Sequence, residues 1–305
     1  MKKPELLAPA GNFDALKLAL DCGADAIYCG GKSFGLRYNS KNFELAELKE
    51  AAEYVHSLNR KIYLTVNALI HESDLTSLTS YLYAVKDTGI DVFIVSDLGA
   101  ASLAQEIAPE IALHVSTQAS VANSRSALAW YEVGARRIVA ARELSLRELT
   151  ELRKNMPGDM QLEAFVHGAQ CMAISGRCII SNYLADRDAN KGQCAHSCRW
   201  HYQLVEKKRP EEYLSVLEED GYTSIFSPYD MNMIEHLDEL VAAGIDSFKI
   251  EGRTKGINYI NTVVSAYRAV LDGADPRKYV GALREQTPRP QGTGFYYGHP
   301  RQNYL

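Results

Sequence analysis

Long apolar runs are missing from this 305-residue sequence. A membrane helix needs about 20 consecutive apolar residues, and no stretch approaches that length, so a spanning segment is not expected. The N-terminus, Met1-Lys2-Lys3-Pro4-Glu5, carries two lysines, but Pro4, Glu5 and Pro9 interrupt the apolar stretch a signal peptide requires. These absences predict a soluble cytoplasmic protein. An excess of positive charge is also missing: 33 Lys and Arg stand against 38 Asp and Glu, a net charge of −5. Any nucleic-acid contact must therefore come from a local patch. Several catalytic signatures are absent as well. His71-Glu72 has no second histidine in zincin spacing, and there is no Gly-x-Ser-x-Gly elbow, no phosphate-cradling P-loop and no Gly-x-Gly-x-x-Gly turn after the first strand. Cysteine is scarce, with six in all.

What is present is a repeated local pattern. A helical stretch ends at glycine and a β-rich run follows at once, at Gly23, Gly89, Gly134 and Gly244. Glycine accepts the left-handed conformation that stops a helix, and the apolar run behind it suits a strand covered on both faces. Further strands are predicted at Glu5–Ala8, Lys61–Leu69, Ala112–Gln118 and Leu162–Val166, with helical periodicity between them. About eight alternations of strand and helix predict an α/β fold, a (β/α)8 TIM-barrel-like domain over residues 1–275. The rhythm breaks at 168–223, which reads as a cysteine-rich insertion in a βα loop toward the C-terminal part. Residues 276–305 are rich in Pro, Gly and Tyr and read as a linker-like tail.

Four of the cysteines, Cys171, Cys178, Cys194 and Cys198, fall inside that insertion. In a reducing compartment such a cluster favours metal over disulfides. The last pair has zinc-like spacing, whereas the first is wide for zinc and is tolerated by an iron–sulfur cluster. Iron–sulfur, zinc and unligated or redox thiols all remain open, in that order. Cys22 and Cys29 flank a strand and read as small core residues.

A second group lies at predicted strand C-termini, the end that faces ligand in a barrel: Asn67, Asp97, His114, Gln118, Glu143, His167, Lys249, Glu251 and Arg253. Alternation points His114, Ser116 and Gln118 to one side, and Lys249, Glu251 and Arg253 to another common side. Two cations and a carboxylate suit a small anion, with arginine as a bidentate clamp. An internal Lys249–Glu251 ion pair is the competing structural reading. Glu163, early in its strand, serves packing or support as readily as chemistry. After the last cysteine, Arg199-Trp200-His201-Tyr202 and Lys207-Lys208-Arg209 interleave aromatics with cations, as single-stranded RNA loops require; Trp200 packing under the cysteine loop is the alternative.

The segment from Glu163 to Ser181, reading Glu-Ala-Phe-Val-His-Gly-Ala-Gln-Cys171 and then Gly176-Arg-Cys178-Ile-Ile-Ser, resembles the signature of the peptidase U-32 family. Leu7-Ala-Pro-Ala-Gly11-Asn, Gly192-Gln-Cys194-Ala-His-Ser-Cys198-Arg-Trp200 and Phe248-Lys-Ile-Glu-Gly-Arg253 match it too, so the resemblance spans about residues 5–270. It implies a 4Fe–4S cluster on Cys171, Cys178, Cys194 and Cys198, with zinc as the alternative. Within the family the pattern is similar to the tRNA 5-hydroxyuridine hydroxylation branch. That implies prephenate-dependent hydroxylation of the wobble uridine. Arg37, Gln118, Lys249 and Arg253 would hold the anionic co-substrate, and Arg199, Trp200 and Tyr202 would meet the anticodon region. His167, His114 or Glu251 would manage the proton at C5. The runner-up readings are a metal-dependent, collagenase-like peptidase, or a subunit of an rRNA or quinone hydroxylase working with a paralogous partner. Longer tRNA-type relatives continue past Gln302-Asn303-Tyr304 into a β-rich domain that this chain lacks, so unaided RNA binding is not implied.

Overall fold

A computed structural model describes residues 3–36, 41–171, 177–197, 205–206, 209–213, 217–219, 222–224, 229–287 and 289–298. Seven strands alternate with helices: β1 (Glu5–Pro9), α1 (Phe13–Asp21), β2 (Ala26–Gly30), α2 (Leu45–Ser57), β3 (Lys61–Val66), α3 (Leu75–Val85), β4 (Val92–Val95), α4 (Leu98–Ile107), β5 (Ala112–Val115), α5 (Ser124–Glu132), β6 (Ala135–Val139), α6 (Leu146–Asn155) and β7 (Gln161–Ala169). Then come the short helix α7 (Ile180–Ala185) and two antiparallel pairs, β8 (Val205–Glu206) with β9 (Arg209–Tyr213) and β10 (Leu217–Glu219) with β11 (Tyr222–Ser224). β12 (Asp230–Asn232), α8 (Leu237–Ala242), β13 (Ser247–Ile250), α9 (Ile257–Leu271), α10 (Val280–Glu285) and β14 (Gln291–Gly292) complete the order.

Strands β1 to β7 pair in sequence and in parallel, and β13 pairs with both β7 and β1. The sheet is therefore a closed eight-stranded barrel, which leaves no open edge. The glycines that follow α1, the 3-10 turn after α3, α5 and α8 all take positive φ: Gly23 at 95°, Gly89 at 87°, Gly134 at 101° and Gly244 at 83°. The predicted helix-stop pattern thus marks four of the eight returns into the barrel. Helix starts are set by side-chain caps: Asn12 accepts from the Ala15 amide at 2.9 Å, and Ser145 and Glu148 form a reciprocal capping box.

Two cores result. One lies between strands and helices and includes Leu6, Leu16, Leu48, Phe93, Phe248 and Val263. A smaller one fills the barrel lumen with Leu7, Tyr28, Tyr63 and Ile94. The lumen also holds paired charges. Arg137 Nη1 donates to Glu5 Oε1 at 2.6 Å and to Glu163 Oε2 at 2.9 Å, while Lys249 Nζ donates to Glu163 Oε1 at 2.8 Å. Glu163, Arg137 and Lys249 are all buried, and charges survive in such a place only when paired.

Some expected boundaries shift. β5 stops at Val115, and a 3-10 turn over Thr117–Ala119 follows, capped by the Ser116 hydroxyl. β7 runs on to Ala169 and gains β12 as an antiparallel neighbour, with Met231 opposite Gly168. The tail is not a free linker. β14 pairs in parallel with β12, and Thr287 Oγ1 donates to Asp230 at 2.7 Å with Arg289 2.7 Å away on the same carboxylate. Buried Tyr296 donates to the Phe165 carbonyl at 2.6 Å.

Candidate functional site

The C-terminal mouth of the barrel holds a cavity of about 470 Å³, counting its open end. Its wall is built from the ends of seven strands and the loops that follow them, with Tyr28 from β2 and Ile94 from β4 among the lining residues. Thr65 and Asn67 come from β3, Ser116 and Gln118 from β5, Arg142 from the loop after β6, Phe165 from β7, and Lys249, Glu251 and Arg253 from β13 and its loop. Five of the nine residues grouped at strand ends, Asn67, Gln118, Lys249, Glu251 and Arg253, therefore line one pocket. Arg37 lies outside the described residues.

Each cation is held in place. Lys249 Nζ sits 4.4 Å from the Tyr28 ring centroid, and the Tyr28 hydroxyl donates to the Ile250 carbonyl at 2.9 Å. Its ion-pair partner is Glu163 rather than Glu251, because Glu163 faces it from β7 inside the lumen, whereas Glu251 lies beyond the strand in the loop. Arg253 is buried and donates from Nη1 to Thr65 Oγ1 at 3.1 Å. Two glycines make room for it. A Cβ on Gly11 would collide with the Arg253 carbonyl, and one on Gly30 with its guanidinium. Arg142, which sequence reasoning missed, stacks 3.9 Å from the Phe165 centroid and donates to the Ala169 carbonyl at 3.0 Å. The available signal was its place just after a strand, where only Glu143 had been singled out. The opposite wall is neutral: Asn67 donates to Ser116 Oγ at 3.2 Å and accepts from the Leu36 amide at 3.1 Å. Asp97, grouped with these by sequence, instead caps α4 by accepting from the Ala100 amide.

The two histidines fall elsewhere. His114 is buried in the lumen beneath the pocket, edge-on to Tyr63 at 5.1 Å, and is not among the lining residues. Burial, with Arg137, Lys249 and Lys61 nearby, holds its pKa well below the ordinary value, so it is neutral. His167 was expected on the ligand side. A register shift between Lys249 and Ile250 skips Val166 and places Ile250, not Glu251, opposite His167. Directly paired residues share a face, so this bulge turns His167 outward with Ile250, toward α9. There its Nδ1 lies 3.2 Å from the Tyr267 hydroxyl, and burial pulls its pKa down to about 4. Of the three expected proton-handling residues, Glu251 alone lines the cavity.

Beside the mouth, Arg177 Nε donates to the Gln118 carbonyl at 2.9 Å, and the Leu69 amide donates to the Asn190 carbonyl at 2.8 Å. The cysteine segment is thus fastened to the rim of the pocket. Cys171 is exposed, Cys178 and Cys194 are half-buried, and all three are free thiols. Asn190 clasps the backbone of Cys178 through both its amide and carbonyl groups, each at 3.1 Å. Cys198, Arg199, Trp200 and Tyr202 lie outside the described residues. Among the described residues, no three Cys, His, Asp or Glu side chains converge as a metal site. The donor chemistry, soft thiols not consumed by disulfides, suits a cluster or zinc.

The family model described as peptidase family U32 matches residues 11–305. The tRNA hydroxylation protein P1 of Bacillus subtilis is 41% identical over 98% of this chain and 72% of its own length. An uncharacterized protease of Methanocaldococcus jannaschii is also 41% identical, over 98% of this chain and 74% of its own. The solved structure of a U32 peptidase superposes with a TM-score of 0.52 at 14% identity, covering 81% of this chain and 92% of that one, which supports the barrel fold. With its signature segment at the end of β7 and a family match across nearly its full length, the chain belongs to peptidase family U32.

Proposed function

We propose that the protein acts in RNA hydroxylation, specifically prephenate-dependent conversion of the tRNA wobble uridine to 5-hydroxyuridine. The observation that carries this reading is the 41% identity, across 98% of the chain, to a tRNA hydroxylation protein. The pocket supports it chemically. Lys249, Arg142 and Arg253 form a cationic arc, Gln118 and Asn67 offer amide groups opposite, and Phe165 and Ile94 supply apolar wall. A small organic dianion with a ring would be accommodated by such a lining. Lys249 and Arg253 bind its carboxylates, and Arg142, flat against Phe165, orients it. Glu251 is the pocket carboxylate placed to take up the proton that leaves uridine C5.

Cys171, Cys178, Cys194 and Cys198 would hold a 4Fe–4S cluster beside this mouth. Four cysteines saturate such a cluster, so when bound it would supply electron transfer or order to the segment. Arg199, Trp200 and Tyr202 are the proposed contacts to the anticodon region, and a paralogous subunit is a further proposed partner.

The test is nucleoside analysis of tRNA from a deletion strain. Wobble 5-hydroxyuridine is expected to vanish, to return with the wild-type gene, and to stay absent with Cys194→Ala. Iron and sulfide assays on anaerobically purified protein test the cluster directly. Zinc-loaded, colourless protein would sink that assignment. Cleavage of denatured collagen that is abolished by Glu251→Gln would instead favour the peptidase reading, which the name of the M. jannaschii relative raises.

A further inference from the structure

The lumen contains a carboxylate that the reading above leaves unused. Glu163 is fully buried, and its two oxygens are divided between two cations on neighbouring strands, Arg137 on β6 at 2.9 Å and Lys249 on β13 at 2.8 Å. Arg137 is itself anchored from two other sides. Glu5 on β1 accepts from it at 2.6 Å, and the Gln161 side chain accepts from its Nε at 2.9 Å. The Tyr63 hydroxyl and the Ser247 hydroxyl complete the ring by donating to Glu5 at 2.8 and 3.0 Å. Strands β1, β3, β6, β7 and β13 are thus tied by one continuous network that ends at the floor of the pocket.

An ammonium has three donors and no acceptor. On Lys249 one donor is taken by Glu163 and a second side is covered by the Tyr28 ring. The Phe165 ring lies farther off, at 5.6 Å, and both Lys249 and Phe165 line the cavity. We propose that Glu163 is a positioning residue: clamped by Arg137, its carboxylate fixes Lys249 as an ammonium aimed into the pocket, where it receives one carboxylate of a small anionic ligand. This inference rests on the pocket being the seat of an anionic co-substrate, and it assigns the work of charge maintenance to a side chain that never touches the ligand.

Electrostatics give the clamp its purpose. Burial lowers the Lys249 pKa, Glu163 opposes that, and Arg137 and Arg142 add to the lowering. The titratable groups facing Lys249 are therefore Glu163 from β7, Arg137 from β6, Arg142 from the loop after β6 and the neutral His114 from β5. Glu251 stands two residues on in its own segment. Without Glu163 two cations would press on a buried amine with no counter-charge, and the amine would shed its proton at a lower pH.

The experiment uses the full chain with lysine ε-carbons labelled with 13C, comparing wild type, Glu163→Gln and Glu163→Asp, with Lys249→Gln to assign the signal. The Lys249 midpoint is expected to fall by about one pH unit or more in Glu163→Gln. It should fall by less in Glu163→Asp, which keeps the charge but draws it back. Should Glu163→Gln fail to fold, the smaller shift in Glu163→Asp decides the matter. Calorimetry with prephenate as the probe is expected to show affinity reduced about tenfold at neutral pH in Glu163→Gln, and falling further as pH rises. An unchanged Lys249 midpoint in both variants overturns the proposal. So does borohydride trapping of prephenate on Lys249, which would make the side chain a neutral nucleophile rather than a charged anchor. If the wild type binds no prephenate, the co-substrate reading falls, while the Lys249 titration still decides the role of Glu163.

Discussion

The two faces of the β7–β13 ladder hold equally buried polar groups of opposite character. Toward the lumen stand Glu163 and Lys249, charged and paired across the strands. Toward α9 stand His167 and Tyr267, neutral and joined by a hydrogen bond, with the Tyr267 hydroxyl also donating to the Val166 carbonyl at 2.7 Å. A single register irregularity separates the two environments. Chemistry at a barrel mouth is therefore allotted by register as much as by residue type: one residue of slip moves a histidine from the ligand to the scaffold.

The comparison breaks most visibly on the lumen side. Arg137→Met takes the shared cation from buried Glu163 and half-buried Glu5, and denaturant unfolding is expected to show a loss of about 3 kcal/mol. On the outer side the expected signature is acid sensitivity. The His167 pKa of about 4 in the fold lies below its ordinary 6.5, so between these values the unfolded chain binds more protons than the native one. Stability should then fall as pH drops from 6.5 toward 4, with His167 contributing about 3 kcal/mol of the loss. His114, also depressed by burial, acts in the same direction. His167→Gln is expected to flatten the profile measured by thermal unfolding at stepped pH.

A functional contrast sharpens the same division. Glu251→Gln should reduce wobble hydroxylation by about 100-fold, the usual scale for removing a proton acceptor, whereas His167→Gln should leave it within about threefold in folded protein. Nucleoside analysis of complemented strains measures both, and equal losses would erase the distinction between the faces. The smallest expected effect is at Gly30, where a methyl group must push aside the Arg253 guanidinium. Gly30→Ala is expected to weaken prephenate binding about tenfold, by analogy with loss of a charge-assisted hydrogen bond, and to shift the unfolding midpoint little.

The alternation of helix, glycine and apolar run was readable because it is local: the left-handed turn at Gly89 or Gly244 and the strand after it need only adjacent residues. Lys249, Glu251 and Arg253 could be gathered for the same reason, since strand ends in a barrel meet at one mouth. Pairings between strands could not be read that way. Lys249 finds Glu163 rather than Glu251 because β13 closes the barrel against β7, a contact between residues 86 apart. His167 was misplaced because strict alternation assumes no bulge. Arg142 escaped notice because its guanidinium reaches the pocket along the face of Phe165, a direction that sequence spacing does not encode. The Pro-, Gly- and Tyr-rich composition of the tail reads as a linker, yet Tyr296 and Thr287 tether it to β7 and β12.

Three consecutive carbonyls of β7 are gripped from four other parts of the chain: Phe165 by Tyr296, Val166 by Tyr267 and the Met233 amide, and His167 by the Glu251 amide. For this strand end to open, the C-terminal tail, α9, the residue after β12 and the loop after β13 must all let go together. Its local opening therefore has no cheap route, and amide exchange along Val166–Ala169 is expected to follow global unfolding rather than a smaller fluctuation. The cysteine segment accordingly begins from a fixed point. Under the proposed function, a rearrangement on loading a cofactor or docking RNA would start beyond Ala169 and leave the pocket wall below it in place.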